Sequence, residues 1–191
     1  MTGPDLGAAL TAALGEEATA TESFGEVTVE VPRERWVGAV TAARDTPGVA
    51  CTYFDWLTGV DELEDGIGVF CHLWSVPLRH GVLLRTRVPA GDLRLATITG
   101  VFAGAAWHER ETYEMFGLVF DGHPHLVPLL LPDGFEGHPL RKDFVLAARV
   151  AKVWPGAKEP GESASGAPAR RRMRPPGVPD DWGPDAAAGK P

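Results

Sequence analysis

Four histidines, His108, His123, His125 and His138, fall within 31 residues of one another, with Glu109, Glu111 and Glu114 among them. A zinc or iron site needs three or four such ligands on a rigid frame. The spacing here fits no ligand signature of that kind. His108-Glu109 does not open a zincin motif, because the position four residues after His108 is Thr112 rather than His. His123 and His138 each sit in a Gly-His-Pro turn, where an imidazole is expected to hydrogen-bond turn backbone. Glu111 and Glu114 stand three apart, so on a helix they share a face. Such a pair can run acid–base chemistry if its two pKa values are driven apart. The plainer expectation is structural carboxylates paired to Arg110, Arg141 or Lys142.

Other chemistries lack their residues. There is no Gly-x-Ser-x-Gly, no Cys–His nucleophile motif and no phosphate loop. The glycines from Gly100 to Gly104 match neither a dinucleotide fingerprint nor a Walker motif. Cys-x-x-Cys is absent, so an iron–sulfur cluster has no ligand set in this sequence.

The elements that must position these residues follow from periodicity. Trp107 to Phe116 is rich in helix formers, and Gly117 suits the position that ends a helix. On that helix Trp107, Glu111, Met115 and Leu118 form one line, and Tyr113 and Phe116 another. A helix apolar on more than one side is buried on more than one side. The second side either faces another protein or belongs to the domain's own core, and the pattern alone leaves both open. Leu118 to Phe120 reads as a short strand. Beyond it come Gly122-His123-Pro124, the apolar segment Leu126–Leu131, Pro132-Asp133-Gly134 and Gly137-His138-Pro139, which is dense turn chemistry.

Upstream, residues 1–25 read as a weakly ordered helix with Leu6, Leu10 and Leu14 on one side. Val27, Val29 and Val31 alternate with Glu26, Thr28 and Glu30, the pattern of a half-buried strand. Pro32 opens a helix that carries Trp36, Val37 and Val40 and stops at Thr46-Pro47-Gly48. Val49–Leu57 reads as a strand, Thr58–Gly66 as an acidic loop, and Ile67–Ser75 and Gly81–Val88 as two strands joined around Pro77. This order predicts an α+β fold: a mainly antiparallel sheet with helices packed on one face, spanning 26–150. Residues 151–191 hold eight Pro and six Gly with few large apolar side chains. They are read as an extended C-terminal tail.

Length and charge narrow the function classes. The 191 residues are 44% hydrophobic, enough for one domain with a core and tails. Cys51 and Cys71 sit in apolar runs, as buried free thiols in a reducing compartment would. The first 20 residues lack a basic segment and carry Asp5, Glu16 and Glu17, unlike a targeting signal. No apolar run reaches membrane-spanning length. Residues 1–150 carry 11 basic and 21 acidic side chains, a net of −10, which argues against nucleic acid as a partner. The basic run Arg170-Arg171-Arg172-Met173-Arg174 reads as a solvated arm, or one docked on an acidic partner, ahead of an RNA or lipid contact.

The run Trp107-His108-Glu109-Arg110-Glu111-Thr112-Tyr113, then Met115-Phe116-Gly117, Phe120 and Gly122-His123-Pro124, resembles the signature of the 30 kDa-type (C-type) subunit of the proton-pumping NADH:quinone oxidoreductase, bacterial complex I. It continues through Leu130-Leu131-Pro132-Asp133 and Gly137-His138-Pro139-Leu140-Arg141-Lys142-Asp143-Phe144. Looser similarity extends back to Val27. Departures occur at Glu114, where the family usually has Asp, and at Ala103-Gly104-Ala105, which replaces a Pro-containing turn. The segment Leu126-Val127-Pro128-Leu129 stands where an Arg pair is usual, and the N-terminal region is short.

The resemblance implies a non-catalytic assembly subunit in the hydrophilic arm, peripheral on the cytoplasmic side of the cell membrane. It implies no cofactor on this chain. The NADH (or F420H2), FMN, iron–sulfur clusters and quinone would belong to other subunits. The implied partners are the D-type subunit, which is like a hydrogenase large subunit and helps form the quinone pocket, and the neighbouring iron–sulfur subunits. Related subunits serve F420H2 dehydrogenases and membrane-bound hydrogenases. A free-standing metal enzyme built on the four histidines with Glu109 or Glu111 is the rival reading. Within the signature, Arg110 and Arg141 are expected to form buried pairs with carboxylates such as Glu109, Glu111, Glu114 or Asp143.

Overall fold

A computed structural model describes residues 3–145. The first helix, α1 (Gly3–Leu14), leads into the edge strand β1 (Thr19–Ser23) and then β2 (Glu26–Glu30). A 3-10 turn at Arg33–Arg35 opens α2 (Trp36–Asp45). Three long strands follow, β3 (Tyr53–Asp61), β4 (Ile67–Ser75) and β5 (His80–Val88). After the short β6 (Arg94–Ala96) come α3 (Ala105–Phe116) and β7 (Val119–Asp121). The main sheet has the order β1-β2-β5-β4-β3, antiparallel except where β2 runs parallel to β5. β6 and β7 form a separate parallel pair. The fold is thus α+β with a mostly antiparallel sheet, as the periodicity predicts.

Alternation decides which face of the sheet is covered. Val27 and Val29 stand level with Val82 and Leu84, which stand level with Leu73 and Cys71. Leu57 continues the row opposite Cys71. All are buried. The helices pack on this face, α1 against β1 and β2, and α3 against β3. Leu6, Leu10 and Leu14 of α1 belong to the core at 2%, 0% and 6% exposure, so the N-terminal helix is an integral layer of the domain. Gly59 on β3 marks the closest approach: a β-carbon there would lie 2.9 Å from the Phe116 ring and 3.1 Å from Thr112.

Several element boundaries shift by a residue or two from those the periodicity predicts, and the larger departures are at β3, β1 and β6. β3 begins four residues later than Val49 and runs on to Asp61. Ala50 has φ 44°, a left-handed turn that breaks extension, and the Cys51 amide bonds the Ala43 carbonyl at the end of α2. Thr58–Asp61, expected as loop, instead pairs with Ile67–Phe70. β1 and β6 have no counterpart in the predicted elements. β1 is an edge strand with mostly exposed residues and no apolar alternation, and β6 is only three residues long. Cys51 and Cys71 are both free and buried, as their apolar neighbourhoods predict. The expected tail and its basic run lie outside the described residues.

Candidate functional site

α3 is the element around which the signature is organised. Ala105, Glu109, Thr112 and Phe116, spaced as one helical stripe, are buried on the side toward the sheet. A second stripe, Ala106, Arg110 and Glu114, is met by the irregular segment from Gly122 to Arg141. That segment runs beside the helix in the same direction. Nε2 of His123 donates to the Ala106 carbonyl at 3.1 Å. Arg110 donates to the carbonyls of Val127 and Pro128 at 2.9 and 2.7 Å. Glu114 accepts from the amides of Leu130 and Leu131, both at 2.8 Å. Nδ1 of His138 donates to the Glu114 carbonyl at 2.8 Å, the Leu140 amide to the Met115 carbonyl, and Arg141 to the Phe116 carbonyl at 2.7 Å. The second buried side of the helix is therefore covered by this chain itself. Trp107, at the outer edge, is 63% exposed, and Glu111 and Met115 are half-buried.

This geometry corrects the expected arginine–carboxylate pairs. Arg110 and Arg141 bond backbone carbonyls, and Glu109 and Glu114 bond backbone amides. The physical reason is that a segment without a strand or helix ladder leaves its N–H and C=O groups unpaired, and these must find partners. Charged side chains on α3 supply them. Burial alone would raise the Glu114 carboxyl, but the amides of Leu130, Leu131 and Leu129 hold it below the usual range. The guanidinium of Arg110 also lies 5.6 Å from the centre of the Trp107 ring. Lys142 and Asp143 sit apart from α3's inner face. The Lys142 amide bonds the Asp61 carboxylate at 2.8 Å, and Arg141 and Asp143 line a cavity of about 320 Å³ beside Asp61 and Glu64.

Glu109 is fully buried. One carboxylate oxygen accepts the Ile98 amide at 2.7 Å and the other the Thr97 hydroxyl at 2.5 Å. Burial pushes its pKa up to about 7 against the pull of those two bonds. Nε2 of His123, on a side chain that is 1% exposed, lies 3.9 Å from the same carboxylate. The His125 amide donates to the other ring nitrogen of His123 at 3.0 Å, which fits a neutral ring carrying its hydrogen on Nε2. Nδ1 of His108 instead faces Leu57 on β3, 3.2 Å from its carbonyl oxygen, and the ring stands edge-on to Phe54.

The histidines do not converge. His108, His123 and His138 are each committed to a different backbone group, and among the described residues no group of three or more His, Cys, Asp or Glu could hold a metal ion. Of the Glu111–Glu114 pair, Glu114 accepts from the amides of Leu130 and Leu131, and Glu111 is half-buried at the helix's outer side. Gly117 ends α3 with φ 76°, and a β-carbon there would lie 2.6 Å from Nε2 of His138. Gly122 and Gly137 also have positive φ, the latter packed under Phe144. Tyr113 packs half-buried against the core. Pro124, Pro132 and Asp133 are exposed, and Pro139 is half-buried. Spacing gives no hint of Thr97, Ile98 and Asp61, which reach the site only through the fold. Gly59, an isolated strand glycine, is the available signal that α3 crosses β3 closely.

Residues 29–150 match the family described as respiratory-chain NADH dehydrogenase, 30 Kd subunit. The chain belongs to this family. It is 41% identical over 129 residues to the C/D subunit of NADH-quinone oxidoreductase from Yersinia pestis (strain Pestoides F), a match covering 63% of this chain. The corresponding protein of Yersinia enterocolitica serotype O:8 is equally similar, at 41% over 129 residues with the same coverage. The match takes in 21% of the length of each of these relatives. Among solved structures, a trypsin-resistant fragment (1–134) of Nqo5 is 27% identical with a TM-score of 0.50, covering 57% of this chain and 89% of that one. A chain of the archaeal membrane-bound sulfane sulfur reductase shares the fold, at TM-score 0.67 and 21% identity over 85% of this chain and 99% of that one. The family's matched region contains α3 and the segment that runs along it.

Proposed function

We propose that this chain is a structural subunit of the hydrophilic arm of a membrane-bound NADH:quinone oxidoreductase. In that role it carries no catalytic site and no cofactor of its own. It packs beside the D-type subunit, which helps form the quinone pocket, on the cytoplasmic side, and supports electron transfer to quinone coupled to proton translocation. The observation that carries the reading is the use of the signature's charged and imidazole groups. Arg110, Arg141, Glu114, His123 and His138 all bond backbone of this chain, so they brace a surface and are not poised for chemistry. Family membership and the joined C/D name of the relatives support the same reading. No helix among the described residues is long and apolar enough to cross a membrane, which suits attachment through partners.

Deleting the chain in its host tests this. The expected result is loss of NADH:quinone reductase activity from membranes together with loss of the assembled arm, both restored by the full-length chain. The purified chain alone is expected to show no flavin or iron–sulfur absorbance and no stoichiometric metal. A fully active complex assembled without the chain, or a stoichiometric redox group on it, overturns the reading. F420H2 dehydrogenases and membrane-bound hydrogenases would use an equivalent subunit. The 41% identity to NADH-quinone oxidoreductase relatives favours the NADH-linked complex.

A further inference from the structure

Glu109 and His123 meet in the interior, at the point where the segment that runs along α3 begins. Neither side chain is open to water. Nε2 of His123 stands between two acceptors, the Ala106 carbonyl at 3.1 Å and Oε2 of Glu109 at 3.9 Å. Nδ1 is taken by the His125 amide, so the ring has one hydrogen to place, the one on Nε2. The same Oε2 lies 2.5 Å from the Thr97 hydroxyl, which also accepts the Thr99 amide and lies 2.9 Å from the Thr99 hydroxyl. A neutral Glu109 can donate to Thr97, and Thr97 can pass its own hydrogen to Thr99, so the neutral form makes no use of His123. An ionised Glu109 only accepts. Thr97 then turns to donate to it, and the polar hydrogen facing its remaining lone pairs is that on His123 Nε2. Burial brings this change of charge to about pH 7, where ordinary carboxyl groups are already ionised. From β4, the Cys71 thiol feels the same charge. Arg94 and Asp121, on the two short strands beside the site, pair with each other at the surface, while Arg110 and Glu114 are turned to the backbone of the segment.

We propose that Glu109 and His123 form a proton-operated latch at the root of this segment: with Glu109 neutral, the His123 Nε2–H rests on the Ala106 carbonyl, and with Glu109 ionised it moves to the carboxylate. The step is an exchange of acceptors. The O–H bond of Glu109 breaks and its proton leaves to solvent. The N–H bond of His123 stays intact and the ring stays neutral, because a second ring proton, on Nδ1, would displace the His125 amide. A hydrogen bond to a carboxylate is about twice as strong as one to a neutral carbonyl. Ionisation therefore draws the imidazole off the helix backbone and takes the Gly122-His123-Pro124 turn with it. Gly122, at φ 83°, has the backbone freedom of a hinge, and a β-carbon there would lie 3.3 Å from the Thr97 methyl, so the turn abuts the same threonine that bonds Glu109. The latch lies upstream of the bonds by which Arg110 and Glu114 hold Val127 to Leu131. It is a property of the chain itself, independent of the assembly the chain serves.

The test is NMR of the histidine rings and carboxyl carbons of the full-length chain, from about pH 5 to about pH 8.5. The His123 Nε2 proton is expected to shift downfield as pH rises, with the same midpoint as the Glu109 carboxyl signal. Both ring nitrogens are expected to keep the shifts of the neutral Nε2–H form throughout. In Glu109→Gln the His123 signal is expected to hold still over the same range. An Nε2 proton that does not move in the wild type, or that moves equally in Glu109→Gln, overturns the inference. So does a ring that gains its second proton as Glu109 ionises, since the proton would then pass between the two groups instead of the acceptor changing. Should Glu109→Gln not give the wild-type circular dichroism spectrum, His123→Ala supplies a second route. The midpoint of Glu109 is then expected to move up, because its anion has lost a donor, and an unmoved midpoint overturns the latch.

Discussion

Nε2 of His138 lies 2.6 Å from the point where a β-carbon on Gly117 would stand, so the glycine that ends α3 is also the floor under the imidazole that pins the chain beside it. Gly117→Ala meets two obstacles, the left-handed φ of 76° and the His138 ring. It is expected to cost about 2–4 kcal/mol, read by urea unfolding. His138→Ala, which removes the ring but keeps the turn, is expected to cost about 1–2 kcal/mol through the lost bond to the Glu114 carbonyl. In the double variant the two losses should fall short of additive, because removal of the ring relieves the clash. Full additivity would show that the contact does not matter.

Glu109 predicts a pH dependence of stability. Its folded-state pKa, about 7, lies above its ordinary value of 4.5, so the folded protein holds this proton more tightly than the unfolded chain does. The resulting stabilisation is complete below about pH 4.5 and is lost as pH rises through 7, a change of about 3 kcal/mol. Glu109→Gln is expected to remove this component and to be at least as stable as the wild type at pH 8. The Gln side chain can still accept from Ile98, and the Thr97 hydroxyl can turn to accept from it while donating to Thr99. Unfolding free energies of both proteins at pH 5 and pH 8 check this. Parallel curves would refute it.

Glu114 works in the opposite sense. Its carboxyl is held below its ordinary value, so its stabilisation is present above about pH 4.5 and is lost as pH falls through the lower folded-state value. Glu114→Ala leaves the amides of Leu130 and Leu131 without their acceptor. It is expected to cost about 2–4 kcal/mol and to raise hydrogen-exchange rates at those two amides specifically. Arg110→Ala, whose bonds are solvent-accessible, is expected to cost less, about 1–2 kcal/mol. Equal and small effects from both would mean that the segment does not depend on α3.

The thiols should be silent. Burial pushes Cys51 up to about 11 and Cys71 higher still, with the nearby Glu109 carboxylate adding to the rise for Cys71. Neither is expected to react with a thiol reagent at pH 8 until the protein unfolds, when both should titrate. Rapid labelling of the native protein would contradict their placement in the core.

Much is legible in the sequence because it depends on local periodicity. Alternation around Val27 and along Ile67–Ser75 and Gly81–Val88 locates the central strands, and Gly117 marks the end of α3 through its backbone freedom. The signature around α3 carries the family resemblance. Tertiary structure alone decides what the signature's side chains do. Glu109 meets Thr97 and Ile98 across 12 and 11 residues, Asp61 meets Lys142 across 81, and Arg110 reaches past every expected carboxylate to two carbonyls. Charge type and spacing suggest ion pairs, but they do not record which backbone groups an irregular segment leaves unpaired. That depends on the path of the segment across the helix, which is a property of the folded chain.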